Sequence, residues 1–186
     1  MRIPLSLEVA QWALLFALGS LLIVLYRQLG RLLSGRPDAD LPGPAVGSTA
    51  APVRYAAAAD GTPGRLTPGD GVPCLIAFVD PTCPSCEQLV ASLGDAQAAS
   101  ELVGVRVLLL ISDPPGYLGI SAAFSSTRLE IGRPLSAGEV ASYRATGTPL
   151  LVAADGGGIV RAAGVVTTLA EVRSYAAAVA REREVV

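Results

Sequence analysis

Leu75-Ile76-Ala77-Phe78-Val79-Asp80-Pro81-Thr82-Cys83-Pro84-Ser85-Cys86 runs from a wholly apolar stretch into a Cys-x-x-Cys loop. Consecutive apolar residues without a polar period suit a strand covered on both faces. Two residues between the cysteines let the sulfurs reach bonding distance within one helical turn. Pro84 is tolerated in a first helical turn, where no N–H is needed. A helix is therefore expected from Cys83 to Leu93, with Gly94 as its stop. Its unpaired N–H groups and partial positive charge would lie beside the first thiol. Both stabilise a thiolate, which is the form that attacks disulfides. The expectation is dithiol chemistry, with Cys83 as nucleophile, Cys86 as resolving thiol, and Pro84 and Ser85 tuning the potential. A structural disulfide is the plainer alternative, but such bridges usually close longer loops.

The totals narrow the chemistry. The 186 residues suffice for one domain of ordinary size plus an attachment segment. A net charge of −2 offers no nucleic-acid surface. Histidine is absent, which removes Ser–His–Asp triads, Cys–His pairs and histidine-containing metal sites. Three cysteines, Cys74, Cys83 and Cys86, fall short of the four ligands of a closed zinc site. No metal and no cofactor is expected. Cys74 reads as a small apolar residue entering a buried strand; the sharper alternative is a third thiol that exchanges with Cys83.

Val9 to Tyr26 is uncharged and almost wholly apolar, near the short end of what crosses a bilayer, about 20 residues. Trp12 and Tyr26 stand at its two ends, where aromatics favour the headgroup layer. No small-x-small cleavage site follows, so residues 9–29 read as an uncleaved transmembrane anchor behind a tail of residues 1–8. Arg27, Arg31 and Arg36 follow the span and only Arg2 precedes it. By the positive-inside bias, that count would keep the C-terminal part in the cytoplasm. Residues 30–52, rich in Pro, Gly and Ala, have the composition of a flexible linker. A folded domain is expected over 53–183.

Within it, strands are expected at Val53–Ala58, Val72–Val79 and Leu102–Ser112, and a weak helix over 117–129. Ser136-Ala137-Gly138-Glu139 and Thr168-Leu169-Ala170-Glu171 have capping-box spacing and open two helices, the first reaching about Ala145. Between them, Leu150–Ala154 and Ile159–Ala163 flank Asp155-Gly156-Gly157-Gly158 as a hairpin. A parallel crossover around the cysteines followed by a hairpin gives an α/β fold, a mixed central sheet with helices on both faces.

The chain resembles the thioredoxin-like superfamily over roughly Val53 to Ala180. Two features carry this: Cys83-x-x-Cys86 between strand and helix, and Thr148-Pro149 immediately before a strand. The resemblance implies a cis Pro149 beside the redox pair. It makes Thr148 and Pro149 substrate-binding residues, the Thr148 backbone pairing with an extended client segment. More narrowly, Phe78 to Cys86 behind an N-terminal anchor ending in Tyr26-Arg27-Gln28-Leu29-Gly30 looks like the membrane-tethered TlpA-type thiol–disulfide oxidoreductases, closest to the MauD-like methylamine-utilisation group. That implies a domain outside the cytoplasmic membrane, opposite to the arginine count. It also implies a client protein with cysteines or a disulfide, and a membrane donor or acceptor for the dithiol. One departure matters. Thioredoxins commonly carry a buried acid six residues before the first cysteine and a Trp just before it, whereas this chain has Ala77 and Thr82. The proton acceptor for the second thiol is then missing; Asp80 and Glu87 read first as solvated loop and helix-start residues, acids being rarely buried unpaired, and as substitutes only in the alternative.

Other classes fit less well. A thiol peroxidase needs one low-pKa cysteine and no Cys-x-x-Cys pair. A copper chaperone of related fold wants a distal histidine, and there is none. A non-catalytic thioredoxin-like binding or assembly module at the membrane is the alternative function that the missing acid favours.

Overall fold

The computed structural model describes residues 18–20, 42–112 and 129–180. Residues 18–20 are helical, and the remainder of the expected anchor lies outside the described residues, as does the expected helix over 117–129 apart from Leu129. Among the described residues no helix is long and apolar enough to cross a membrane.

From Pro42 onward the elements are β1 (Val53–Ala57), β2 (Pro63–Leu66), β3 (Cys74–Val79), α1 (Pro84–Ala98), β4 (Arg106–Ile111), β5 (Glu130–Pro134), α2 (Ala137–Ser142), β6 (Leu150–Ala154), β7 (Val160–Gly164) and α3 (Leu169–Ala180). The strands form one mixed sheet in the order β2-β1-β5-β4-β3-β6-β7. β3 runs parallel to β4 and antiparallel to β6, so the strand that leads into the cysteines has a neighbour on each side. All six of its residues are buried. Alternate side chains therefore divide between two cores. Leu75, Ala77 and Val79 pack with Cys86, Leu89 and Leu93 of α1 and with Val172 and Val179 of α3. Cys74, Ile76 and Phe78 face Tyr55, Tyr143, Leu150, Val152 and Val160. Each large aliphatic side chain withdrawn this way stabilises the fold by about 1.5–3 kcal/mol.

Among the described residues, irregular chain helps to close the second core, through Ala50 and Ala51. The Tyr143 ring lies 5.2 Å from that of Phe78, and its hydroxyl donates to the Ala51 carbonyl. Residues 42–52, expected to be linker, are held by backbone bonds: Gly47 N–H to Val160 O at 2.8 Å and Ala50 N–H to Gly158 O at 2.8 Å. Their composition is that of a tether, but hydrogen bonds to the start of β7 fix them. The compact unit thus begins at Pro42.

Several boundaries move from expectation. α1 passes through Gly94 and ends at Ala98. Ser100, at φ 61°, takes the left-handed position that closes it. There Ser100 N–H bonds to Gln97 O at 3.0 Å and Glu101 N–H to Ala96 O at 2.9 Å, a Schellman ending built without glycine. The Ser136 hydroxyl bonds to the Glu139 carboxylate and caps no backbone N–H, and α2 ends sooner than expected because Arg144, at φ 49°, takes the left-handed position after Tyr143, where Ala145 N–H closes on Val140 O at 3.3 Å. The second capping box forms as read. Glu171 Oε2 accepts the Thr167 and Thr168 N–H groups, each at 3.0 Å, and its own N–H donates to Thr168 Oγ1 at 3.3 Å.

β2 and β5 are additions to the expected order. Both flank β1, where Tyr55 pairs with Gly64 on one side and, diagonally, lies over Gly132 on the other. A Cβ at either glycine would run into the Tyr55 ring. The aromatic ring supplies the packing that two glycine-containing strands lack.

Candidate active site

β3 ends at Val79 and the next residues form a fastened turn. Asp80 Oδ1 accepts the Thr82 N–H at 2.7 Å and its hydroxyl at 2.6 Å. Cys83 N–H donates to Asp80 O at 3.1 Å. Cys83 is then the N-cap of α1, in extended backbone, with Pro84 opening the helix. The N–H groups of Cys86 and Glu87 close the first turn on Cys83 O at 3.0 and 3.3 Å. Cys83 is half-buried, Cys86 is buried, Pro84 is exposed and Ser85 half-buried. Both thiols are free.

The second arm arrives through sheet register. Leu150 pairs antiparallel with Phe78, which brings Thr148-Pro149 to the end of β3 from which the cysteine loop leaves. The Thr148–Pro149 peptide is cis, as the resemblance implies. The Cys83 thiol donates to the Thr148 carbonyl at 3.8 Å. Thr148 is exposed and Pro149 buried. Cys83, Cys86 and Thr148 come together from positions up to 65 residues apart.

The electrostatics separate the two thiols. Burial opposes ionisation of Cys83, but hydrogen bonds from the Cys86 thiol, from the Cys86 and Ser85 N–H groups and from the Thr148 side chain outweigh it, holding Cys83 below the ordinary thiol value. Burial pushes Cys86 up to about 11, opposed by the Asp80 N–H and reinforced by Cys83. Cys83 is therefore the accessible thiol and the one that ionises more readily, while Cys86 holds its proton more tightly. This is the division of labour that nucleophilic attack followed by resolution requires.

The substitutes for the missing acid do not take its place. Ala77 is fully buried in the same core as Cys86. The Asp80 carboxylate is engaged with Thr82, and Glu87 is exposed at the start of α1. What reaches the Cys86 sulfur is the Asp80 backbone N–H, at 3.4 Å. The sequence reading missed this contact and the hydrogen bond from the Thr148 side chain. The i, i+2 spacing of Asp80 and Thr82, typical of an Asx turn, signals the first.

Cys74 is not a third partner. It opens β3 while the loop leaves the far end of that strand, about 17 Å away at 3.3 Å per residue. It also belongs to the opposite core. Burial raises its pKa to about 11, so it is an unreactive packing residue. Among the described residues no cluster of His, Cys, Asp and Glu is able to hold a metal.

No family model matches the chain, and no curated protein does. Solved structures do. The chain is similar to the thioredoxin domain of a thiol-disulfide oxidoreductase from Bacteroides vulgatus, with TM-score 0.60 and 17% identity over 72% of this chain and 99% of that one. It is similar to a candidate thiol:disulfide interchange protein DsbE from Chlorobium tepidum, with TM-score 0.60 and 16% identity over 74% and 96% of the two chains. Peroxidoxin BcpB from Mycobacterium tuberculosis matches at TM-score 0.58 and 16% identity, over 73% and 96%. The fold is thioredoxin-like; of these three neighbours the first two bear thiol–disulfide exchange names and the third is a peroxidoxin.

Proposed function

We propose that this chain is a membrane-tethered thiol–disulfide oxidoreductase that acts on cysteines of extracytoplasmic client proteins through Cys83 and Cys86. The observation that carries the reading is the asymmetry of the pair: Cys83 held toward thiolate, Cys86 held protonated, both against Thr148. In the reducing direction the Cys83 thiolate attacks one sulfur of a client disulfide. A mixed disulfide forms and one client thiolate leaves. Cys86 gives up its proton and attacks Cys83 Sγ, breaking the mixed disulfide and releasing the second client thiolate. Two electrons pass to the client and Cys83–Cys86 is left oxidised. The reverse sequence forms a client disulfide. Either cycle is completed by a membrane donor or acceptor for the dithiol. Thr148, exposed at the start of β6, offers main chain on which an extended client segment pairs.

The uncharged run Val9–Tyr26 supports an anchor over 9–29, and the TlpA-type, MauD-like resemblance supports a domain outside the membrane. The arginines after the span favour the opposite side. Protease treatment of intact spheroplasts separates the two: cleavage of the domain supports the extracytoplasmic placement and protection overturns it. Catalysis is tested by Cys83→Ser in the full chain. Loss of exchange with a model protein disulfide supports the enzyme, and unchanged exchange overturns it.

A further inference from the structure

We propose that Asp80 is a positioning residue for the resolving step, its carboxylate fixing the loop so that its own backbone N–H stabilises the Cys86 sulfur as that sulfur becomes the attacking thiolate. The inference rests on the dithiol function argued above and assigns a residue within it.

Resolution requires Cys86 to lose its proton inside a core. Its surroundings on the β3 side are apolar, with Ala77 fully buried. The groups that act on Cys86 are the Asp80 N–H at the end of β3, the Cys83 thiol at the helix cap and the Thr148 side chain before β6. Of these, the Asp80 N–H donates to the Cys86 sulfur along a 3.4 Å contact. A hydrogen bond to a charged sulfur is stronger than one to a neutral thiol, so the contact tightens as charge develops.

A backbone donor is useful only if it is held in place. Asp80 lies where regular pairing ends, and its side chain provides the fastening. Oδ1 takes both the N–H and the hydroxyl of Thr82, at 2.7 and 2.6 Å. The Asp80 carbonyl takes the Cys83 N–H at 3.1 Å. Carboxylate, N–H and carbonyl of one residue thus tie together β3, the loop and the helix cap. The carboxylate faces Thr82 while the amide faces the sulfur. The role is therefore one of geometry, in which a neutral acceptor serves as well as a charged one.

The step can be isolated in the full-length reduced chain with 5,5′-dithiobis(2-nitrobenzoate). Cys83 attacks the reagent, forming a mixed disulfide and releasing one thionitrobenzoate. Cys86 then attacks Cys83 Sγ and releases the second. The second phase, followed against pH, reads resolution alone. Asp80→Ala is expected to slow it by about fivefold near neutral pH, the loss of one hydrogen bond to the sulfur, and to move its midpoint upward. The first phase should change little. Asp80→Asn, which keeps the acceptor oxygen, is expected to restore wild-type rate and midpoint, and Thr82→Val to fall between them. An Asp80→Ala second phase equal to wild type overturns the inference. So does an Asp80→Asn defect as large as that of Asp80→Ala, which would make the carboxylate charge itself the agent. Absence of a second phase in the wild type would instead mark failure of the dithiol reading, a distinguishable result.

Discussion

The Cys83 sulfur stands 3.8 Å from the Thr148 carbonyl oxygen, so the nucleophile touches the main chain on which a client segment would lie. Under the proposed function, a thiol so placed would meet the client sulfur and the client backbone at one point. Nucleophile and binding strand would then form a single site, and changes in either should affect exchange.

Thiol reactivity should follow the pKa order. Cys83 lies below the ordinary thiol value while Cys74 and Cys86 are pushed up to about 11. At pH 7 iodoacetamide should label Cys83 first, by a factor of at least about tenfold over the other two. Mass spectrometry of the labelled chain checks this. Equal labelling of all three would contradict the geometry described for the site.

Stability should fall in alkali with a defined sign. A thiol whose pKa is raised on folding stays protonated in the folded state while the unfolded chain ionises. The stability it contributes is full below the unfolded value, near 8.5, and is lost as pH rises toward the folded value of about 11. Cys74 is 1% exposed, and its share of the loss is on the order of 3 kcal/mol. Cys74→Val should flatten the pH dependence of urea unfolding between pH 8.5 and 11. A slope identical to wild type would show that Cys74 does not titrate on unfolding.

Adding a methyl group under Tyr55 should destabilise the outer sheet. Gly132→Ala and Gly64→Ala place a Cβ inside the ring position, an overpacking expected to cost about 1–3 kcal/mol each. Tyr55→Phe, which keeps the ring and loses the hydroxyl that meets Glu130 and Arg106, should cost less, about 0.5–1.5 kcal/mol. Denaturant midpoints rank the three.

The β6–β7 turn depends on a buried carboxylate. Asp155, 1% exposed, accepts the Gly157 and Ile159 N–H groups at 2.8 and 2.9 Å and the Arg161 Nε–H at 2.5 Å. Asp155→Ala leaves those donors without their acceptor and should cost about 2–3 kcal/mol. Thermal unfolding measures the loss, while thionitrobenzoate release at the opposite end of β6 should persist below the lowered midpoint.

The sequence made the centre of the fold legible and its periphery opaque, for physical reasons. The runs Leu75–Val79 and Val107–Ile111 are apolar because both faces are covered, so periodicity and length suffice to read them. Cys83-x-x-Cys86 and Thr148-Pro149 are short motifs whose positions the strands fix. β2 and β5, by contrast, read Pro-Gly-Arg-Leu and Glu-Ile-Gly-Arg-Pro. Nothing local favours a strand there. They form because Tyr55, between them in space, packs over their glycines, a contact between segments up to 77 positions apart that no window of sequence contains. The same holds for residues 42–52, whose loose composition conceals backbone bonds to β7. At the site the cysteines were legible, whereas the Asp80 contact left only an indirect trace, the Asx-turn spacing of Asp80 and Thr82, which marks the turn but not the sulfur its N–H meets.

The proposed function requires Cys83 and Cys86 to cycle between dithiol and disulfide. The most direct test equilibrates the full-length chain in glutathione buffers of graded potential, quenches with acid, and quantifies the disulfide by mass. A reversible two-electron transition joining Cys83 to Cys86 is expected, with a midpoint between about −270 and −120 mV. A pair that never forms a disulfide, or one that no buffer reduces, would contradict it and leave a binding module on a thioredoxin-like fold.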